Sequence, residues 1–462
     1  MKYALLTILI SFGWILKAQS DRSEVSQQEA EEREALQRRR EAMMRLYEND
    51  PQRFMDSVKT VRERERYEEA IKRLNRYEQN KRLDTLKVID LSYAQLQKIP
   101  EFVFSAANAE KLILDYNQVS KLPGKLKELD KLTSISWNYN QSVKGNRIGK
   151  NRNIEKLTMT NNQLVKVPSI QRLKSLKYLE LSDNKLTDLS IKKMSKLDVL
   201  QELIIKNNPI GTLGEDKYYK LETVSVLKLN KCQIDSVHPS FYQMPQLAEL
   251  QLQENPITGL PNGISNLKKL SKISFYKCSL SVLPEDFFDL PELIIADLYY
   301  NQLDKISPSI DHAKKIEVLF LSHNKIFDLP EELGNLSNLQ ELYLHNNRLS
   351  YLPTQISNLS KLRVLRINNN LLQNFPRQIL QLRQLTDLDL DDNMIETVPA
   401  EIDQLKQLKL FTYDGNPINF NDQNNKAFMQ SVATMIQKGT ICKPAINMDY
   451  VDESGDSINV NN

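Results

Sequence analysis

The sequence predicts an α/β solenoid, a stack of short parallel strands each returned to the next by a turn, and three observations predict it. Between Ile316 and Pro399 one apolar phrase recurs four times without an insertion, starting at Ile316, Leu339, Leu362 and Leu385, a step of 23 residues. Its fourth and sixth positions, such as Leu342 and Leu344, alternate like a strand with one apolar side. An asparagine then stands at a fixed place, as at Asn347. One such unit cannot bury its own apolar edge, so neighbours must stack and share a continuous core.

Leu339, Leu342, Leu344, Asn347 and Leu349 spell L-x-x-L-x-L-x-x-N-x-L, followed by Leu352-Pro353. Fifteen phrases can be placed, beginning at Leu86, Ala109, Leu132, Ile154, Leu176, Leu200, Val224, Leu247, Leu270, Leu293, Ile316, Leu339, Leu362, Leu385 and Leu408. The phrase resembles the leucine-rich-repeat family. Leu329-Pro330-Glu331-Glu332-Leu333 resembles its 23-residue form, with L-P-x-x-I or L-P-x-x-L after the asparagine, in a secreted, bacterial setting. The resemblance implies a horseshoe of about fifteen repeats whose parallel strands line a concave face.

The asparagine column includes Asn117, Asn140, Asn162, Asn184, Asn208, Asn255, Asn301, Asn324, Asn347, Asn370, Asn393 and Asn416. A side-chain amide carries donors and an acceptor, so stacked asparagines can satisfy turn backbone that would otherwise be buried unpaired. The column is therefore structural. Cys232 and Cys278 occupy it in the seventh and ninth phrases. Two strand spacings separate them by about 9 to 10 Å, beyond the roughly 7 Å limit for bridged alpha carbons. They are expected to be buried, reduced and structural.

From the start of the chain, Lys2, the apolar run Ala4 to Leu16 and the small residues Ala18-Gln19-Ser20 read as a signal peptide over residues 1–20. The predicted destination is the periplasm, cell surface or extracellular space, without stable membrane insertion. A formal charge of +3 argues against nucleic acid as the main partner. Residues 21–85 form a charged helical arm or N-terminal cap. Pairs four apart, such as Glu34 with Arg38 and Glu68 with Lys72, support exposed helix faces. Asn49-Asp50-Pro51 ends one helix and starts a second, with an apolar stripe at Phe54, Val58, Val61, Tyr67, Ile71 and Leu74. The arm caps the first repeat or, through residues 21–83, self-associates as a coiled coil.

The repeats run over residues 86–420. After Asn140 the third phrase becomes Val143 to Arg152, rich in lysine, arginine and glycine. It is no phosphate loop, since Gly145 and Gly149 are one residue too close and Asn151 stands where serine or threonine should be. It is expected to be a basic surface loop. Residues 421–440 predict a capping helix with Phe428, Val432 and Met435 on one face and Gly439 as terminator. Residues 441–462 predict an acidic flexible tail.

Function should come from the concave wall. The ninth to fourteenth phrases place Tyr276, Tyr299, Tyr300, Phe320, His323, Tyr343 and His345 on it, with Arg363, Arg366, Asp389 and Asp391 adjoining. Aromatic residues and arginine are enriched at interface centres. Arg366 is expected to pair with Asp389 across adjacent strands. Tyr93, Tyr116 and Tyr139 form a second possible partner patch. His323 and His345 alone are too few for zinc, and the aspartates from Asp387 to Asp392 lack a calcium loop. No metal, cofactor or catalytic constellation is predicted. The resemblance also extends to bacterial effectors with a C-terminal ubiquitin-ligase domain and catalytic cysteine, a reading that ranks last here because the twenty residues after Cys442 are few for such a domain. The expected function is an exported, non-enzymatic module binding a protein; the rival is an oligomeric surface or adhesion component built through the arm.

Overall fold

The computed structural model describes residues 51–80, 82–142, 151–419 and 422–443. The signal peptide, the first helix of the arm, the basic loop at 143–150 and the chain beyond 443 lie outside the described residues. One parallel sheet carries sixteen strands in sequence order. They are β1 Val88–Asp90, β2 Lys111–Ile113, β3 Ser134–Ser136, β4 Lys156–Thr158, β5 Tyr178–Glu180, β6 Glu202–Ile204, β7 Val226–Lys228, β8 Glu249–Gln251, β9 Lys272–Ser274, β10 Ile295–Asp297, β11 Val318–Phe320, β12 Glu341–Tyr343, β13 Val364–Arg366, β14 Asp387–Asp389, β15 Leu410–Thr412 and β16 Ile441–Lys443. The first fifteen fall in the fifteen phrases. The last corrects the expected tail: residues 441–443 pair in parallel with β15, Phe411 opposite Cys442. No repeat phrase announces this strand, because the helix before it breaks the period.

Strands β1 to β15 each bury their middle residue, as at Leu342, Leu365 and Leu388, where the flanking residues face solvent in part. Proline then sets the return. Pro330, Pro353, Pro376 and Pro399 hold extended backbone just before 3₁₀ turns at Glu331–Asn335, Thr354–Asn358, Arg377–Gln381 and Ala400–Gln404. Their fixed φ makes them natural first residues of a helical turn. Each turn sends one apolar side chain, such as Leu333 or Ile356, back into the core.

The asparagine column is bonded as its chemistry requires. Asn347 Oδ1 accepts from Ile326 N at 3.0 Å, and its Nδ2 donates to Leu321 O at 3.0 Å and Leu344 O at 2.9 Å. Asn370 and Asn393 repeat the pattern one and two steps on. Cys232 and Cys278 are buried and unbridged, their thiols donating to Ile205 O at 2.9 Å and Leu252 O at 3.3 Å in place of an amide. Burial pushes both thiols up to about 12. Asn151 is buried too, its Nδ2 donating to Leu129 O at 3.0 Å.

The chain divides into two units, Met1–Asn75 and Arg76–Asn462, with the boundary inside helix α1, Pro51–Gln79. In the first, Arg64 and Glu68 pair at 3.1 Å, Ala70 is buried, and Val61 of the expected apolar stripe is half exposed. In the second, the Tyr77 hydroxyl accepts from Asp90 N at 3.3 Å, tying the last turn of α1 to β1. A short helix α2, Ile191–Met194, replaces the 3₁₀ turn of one repeat. Helix α3, Gln423–Gln437, buries Phe428, Val432 and Met435, and the Phe428 ring meets Tyr413 edge-on at 5.1 Å.

Asn347→Ala strands Ile326 N and takes one of two bonds from the carbonyls of Leu321 and Leu344, which keep the amides of Asn324 and Asn370. It should destabilise the chain by about 2–4 kcal/mol, against less than about 0.5 kcal/mol for the exposed Ser350→Ala, read from urea unfolding midpoints. With native protein, a thiol reagent should leave Cys232 and Cys278 unlabelled, and full labelling should need denaturant; rapid native labelling of either would contradict their buried, protonated state.

Candidate partner-binding face

Strand register sorts the side chains on one side of the sheet, some exposed and some buried, into rows that cross it. Pairing of β9 through β15 aligns Ser274, Asp297, Phe320, Tyr343, Arg366, Asp389 and Thr412 in one row. Two residues further on, Tyr276, Tyr299, Ser322, His345, Asn368, Asp391 and Asp414 form a second row. There each of the last six has its carbonyl bonded by an amide of the preceding repeat, as Tyr299 O is by Lys277 N at 2.9 Å and His345 O by His323 N at 2.9 Å.

A third row follows immediately and holds Tyr300, His323, Asn346 and Asn369, all with positive φ, 54° at Tyr300 and 50° at His323. The left-handed region is uncommon for any side-chain-bearing residue, although asparagine tolerates it best. Tyr93, Tyr116 and Tyr139 occupy the same position earlier in the chain, at φ 60°, 56° and 53°.

Across these rows the predicted residues converge. Tyr276 stacks on Tyr299 at 5.6 Å between ring centres, Tyr299 meets Tyr300 at 4.4 Å, and Tyr300 stacks on His323 at 4.0 Å. His345 closes the group, edge-on to Tyr299 at 5.6 Å and to His323 at 5.4 Å. Phe320 stacks on Tyr343 at 4.7 Å, and the Arg366 guanidinium lies 5.8 Å from the Tyr343 ring centre. All these rings except Tyr300 are half-buried, lining the wall rather than filling the core; Tyr300 is exposed. The structure leaves Arg363 apart: it sits outside the rows, exposed, with Nη2 donating to Gln340 Oε1 at 3.0 Å.

Arg366 does not take Asp389 as its ion-pair partner. Although the two lie opposite in register, Arg366 Nε approaches Asp387 Oδ1 at 3.4 Å without hydrogen-bond geometry. Asp389 Oδ1 is already used, accepting from Thr412 Oγ1 at 2.8 Å and Asp391 N at 3.1 Å. Asp391 in turn accepts from Asp414 N at 2.7 Å. Burial pushes all three carboxyls above the usual range. Asp391 reaches about 7, through burial first and the Asp389 charge second.

Asp297 is a member of the face that sequence reasoning missed. It accepts from Ser274 Oγ at 2.6 Å and Tyr299 N at 3.2 Å, and burial raises it to about 6. Its place in the same row as Tyr343 and Arg366 was the available signal. Ser322 was missed as well, and shares a hydrogen bond with His345 Nδ1 at 2.8 Å. This pair is not a nucleophile with its base. Ser322 is fully buried, and burial, His323 and Arg366 together lower His345 to about 3, leaving a poor proton acceptor. Among the described residues no group of three or more His, Cys, Asp or Glu side chains is arranged to hold a metal, and no helix is long and apolar enough to cross a membrane.

The second patch is a stacked ladder. Tyr93 and Tyr116 lie 4.3 Å apart and nearly parallel, Tyr116 and Tyr139 4.1 Å apart, and the last two are exposed. Burial and hydroxyl contacts with Tyr139 and Tyr93 raise the Tyr116 phenol.

Residues 309–438 match the family described as leucine-rich repeat region, and residues 151–210 the one described as leucine rich repeat. Lumican of Gallus gallus is 30% identical over 189 residues, 39% of this chain and 54% of lumican. The chain thus spans about half the length of that relative. A leucine-rich-repeat protein of Leptospira interrogans shares its structure at a TM-score of 0.65, with 26% identity over 80% of this chain and 98% of the other. The plant peptide hormone receptor RGFR1, in complex with RGF2, shares the fold at a TM-score of 0.52, with 23% identity over 72% of this chain and 63% of the receptor. The chain is built of leucine-rich repeats.

Folding raises the Asp391 carboxyl from 3.8 to about 7. A group shifted in this direction adds stability below its unfolded value and loses it as pH rises through the folded one. Asp391→Asn keeps the acceptor for Asp414 N and removes the titration. Wild type should therefore lose stability relative to the variant between pH 4 and 7, on the order of 1 kcal/mol per pH unit, in parallel thermal melts.

Proposed function

We propose that this chain is an exported, non-enzymatic binding module that recognises a protein partner on the concave face across β9 to β15. The observation that carries the reading is the unbroken run of partly exposed rings from Tyr276 through Tyr299, Tyr300, His323 and His345, continued by Phe320, Tyr343 and Arg366. Such side chains bury much area at low entropic cost and still make polar contacts, which is why interface centres favour them.

With Asp389 and Asp391 the run spans six repeats, the ninth to the fourteenth, as an interface of about 20 to 30 residues per side would need. Strain supports it too, since an aromatic ring at a left-handed position such as Tyr300 gives up conformational energy that asparagine would not. The receptor that shares this fold was solved with its ligand. Export rests on the signal-like residues 1–20 and fits an extracellular relative such as lumican. The Tyr93, Tyr116 and Tyr139 ladder is a second contact for the same partner or another.

Binding is preferred to catalysis because the Ser322 and His345 pair is buried and weakly basic, and because burial raises rather than lowers the Cys442 thiol, disfavouring a nucleophilic thiolate. The rival, an oligomeric surface component built through residues 21–83, predicts a mass in analytical ultracentrifugation that falls when the arm is removed.

Partners captured from envelope or host extract by the full chain, identified by mass spectrometry and remeasured by surface plasmon resonance, test the reading. Tyr299→Ala and Tyr343→Ala should each weaken binding by more than about 1 kcal/mol, roughly fivefold, with thermal unfolding nearly unchanged. Equal affinity in both variants would move the site off this face.

A further inference from the structure

The rings are followed across the sheet by carboxylates. Among the rows of β10 to β15, Asp297, Glu341, Asp387, Asp389 and Asp391 share the wall with the rings; Arg366 lies 3.4 Å from Asp387, and Arg363, outside the rows, lies 3.8 Å from Glu341. The earlier strands differ. Lys228 pairs with Glu249 at 3.1 Å, and Lys231 with Glu254 at 3.2 Å, so their charges are locally matched.

Around β14 they are not. Arg366 approaches Asp387 and spends its face on Tyr343, while Asp389 and Asp391 are held by the neutral donors Thr412 Oγ1, Asp391 N and Asp414 N. These neutral contacts orient the carboxylates without cancelling their charge. Asp391 is itself buried to 5% exposure. The groups facing it are Asp389 and Asp392 from its own repeat and Thr412 and Asp414 from the next, while Arg366 acts on Asp387 and Asp389.

Resting on the concave-face reading above, we propose that the partner presents an extended segment in which an arginine or lysine lies beside an apolar or aromatic residue. The apolar residue packs on Tyr299, Phe320 and Tyr343, and the cation meets Asp389, behind which Asp391 lies buried and adds its charge. The charge of the wall selects this chemistry: a neutral segment would leave carboxylates buried beneath it without a counter-charge, and an acidic one would add like charge. A cation brought to the same place is paired on arrival, and arginine can bond a carboxylate through two parallel N–H groups.

Panning the full chain against a displayed library of random dodecapeptides tests this directly, with Tyr299→Ala, Tyr343→Ala and Asp389→Asn/Asp391→Asn chains panned alongside. The expected outcome is enrichment of arginine or lysine next to an apolar residue on wild type. That bias should disappear on the Asp389→Asn/Asp391→Asn chain while the apolar preference stays. A selected synthetic peptide should bind more tightly at pH 8 than at pH 6, because Asp391 ionises at about 7 and then adds its charge to that of Asp389, and replacing its arginine by citrulline should abolish that dependence. Enrichment that depends on Tyr299 and Tyr343 but carries no basic bias, or binding that does not change with pH, overturns the cation proposal and leaves the aromatic face standing. Enrichment indifferent to Tyr299 and Tyr343, or none above a control protein, overturns the concave-face reading and this proposal with it. A circular-dichroism melt of the double asparagine chain separates loss of the carboxylates from loss of the fold.

Discussion

The constraint on which the rest of this structure depends is the bonding of one asparagine amide to backbone in two successive repeats. Asn347 accepts from Ile326 N of the preceding repeat and donates to Leu321 O of that repeat and Leu344 O of its own. Without such an amide, each exit from the sheet would leave a backbone N–H buried with no partner, at about 1–3 kcal/mol, and two carbonyls with one bond in place of two. Because the same side chain reaches into both repeats, it fixes their spacing and register together. Cys232 and Cys278 show how far the rule bends: a thiol donates one bond to the same carbonyl position, and Asn255 Oδ1 accepts from both Cys232 N and Ile234 N.

Fixed register turns chemistry into rows. Once Phe320, Tyr343, Arg366, Asp389 and Thr412 lie opposite one another, their interactions follow from neighbour distances alone: ring on ring, guanidinium over ring, hydroxyl to carboxylate. The left-handed row at the end of each strand adds side chains that project past the sheet, and there Tyr300 and His323 stack at 4.0 Å. The wall is therefore preorganised, and a ligand would meet rings and carboxylates already held in place, which reduces the ordering cost of association.

The same packing sets the electrostatics. Half-buried between aromatic rings and neighbouring strands, His345 is held neutral down to about 3, while Asp297 and Asp391 resist ionisation up to about 6 and about 7. Desolvation is the first cause in each, and its sign differs only because the charged form is the protonated one for histidine and the deprotonated one for aspartate. A face with a neutral His345 imidazole and reluctant carboxylates is suited to recognition by packing and by a paired cation.

The sequence by itself determined the repeat, its 23-residue step, the buried middle residue of the fifteen repeat strands, the structural asparagine column and the unbridged state of Cys232 and Cys278. Those features depend on periodicity and on reach between neighbouring strands, which are fixed once the period is known. Tertiary structure alone decided which neighbours the charged and aromatic groups chose. Arg366 lies opposite Asp389, yet Thr412 Oγ1 and Asp391 N had already taken that carboxylate, so the guanidinium turned to Asp387. Likewise Ile441–Lys443 joined the sheet as its sixteenth strand although helix α3 interrupts the period before it. Pattern reports where a side chain can be, whereas competition among several nearby donors and acceptors is settled only by the packed, three-dimensional arrangement.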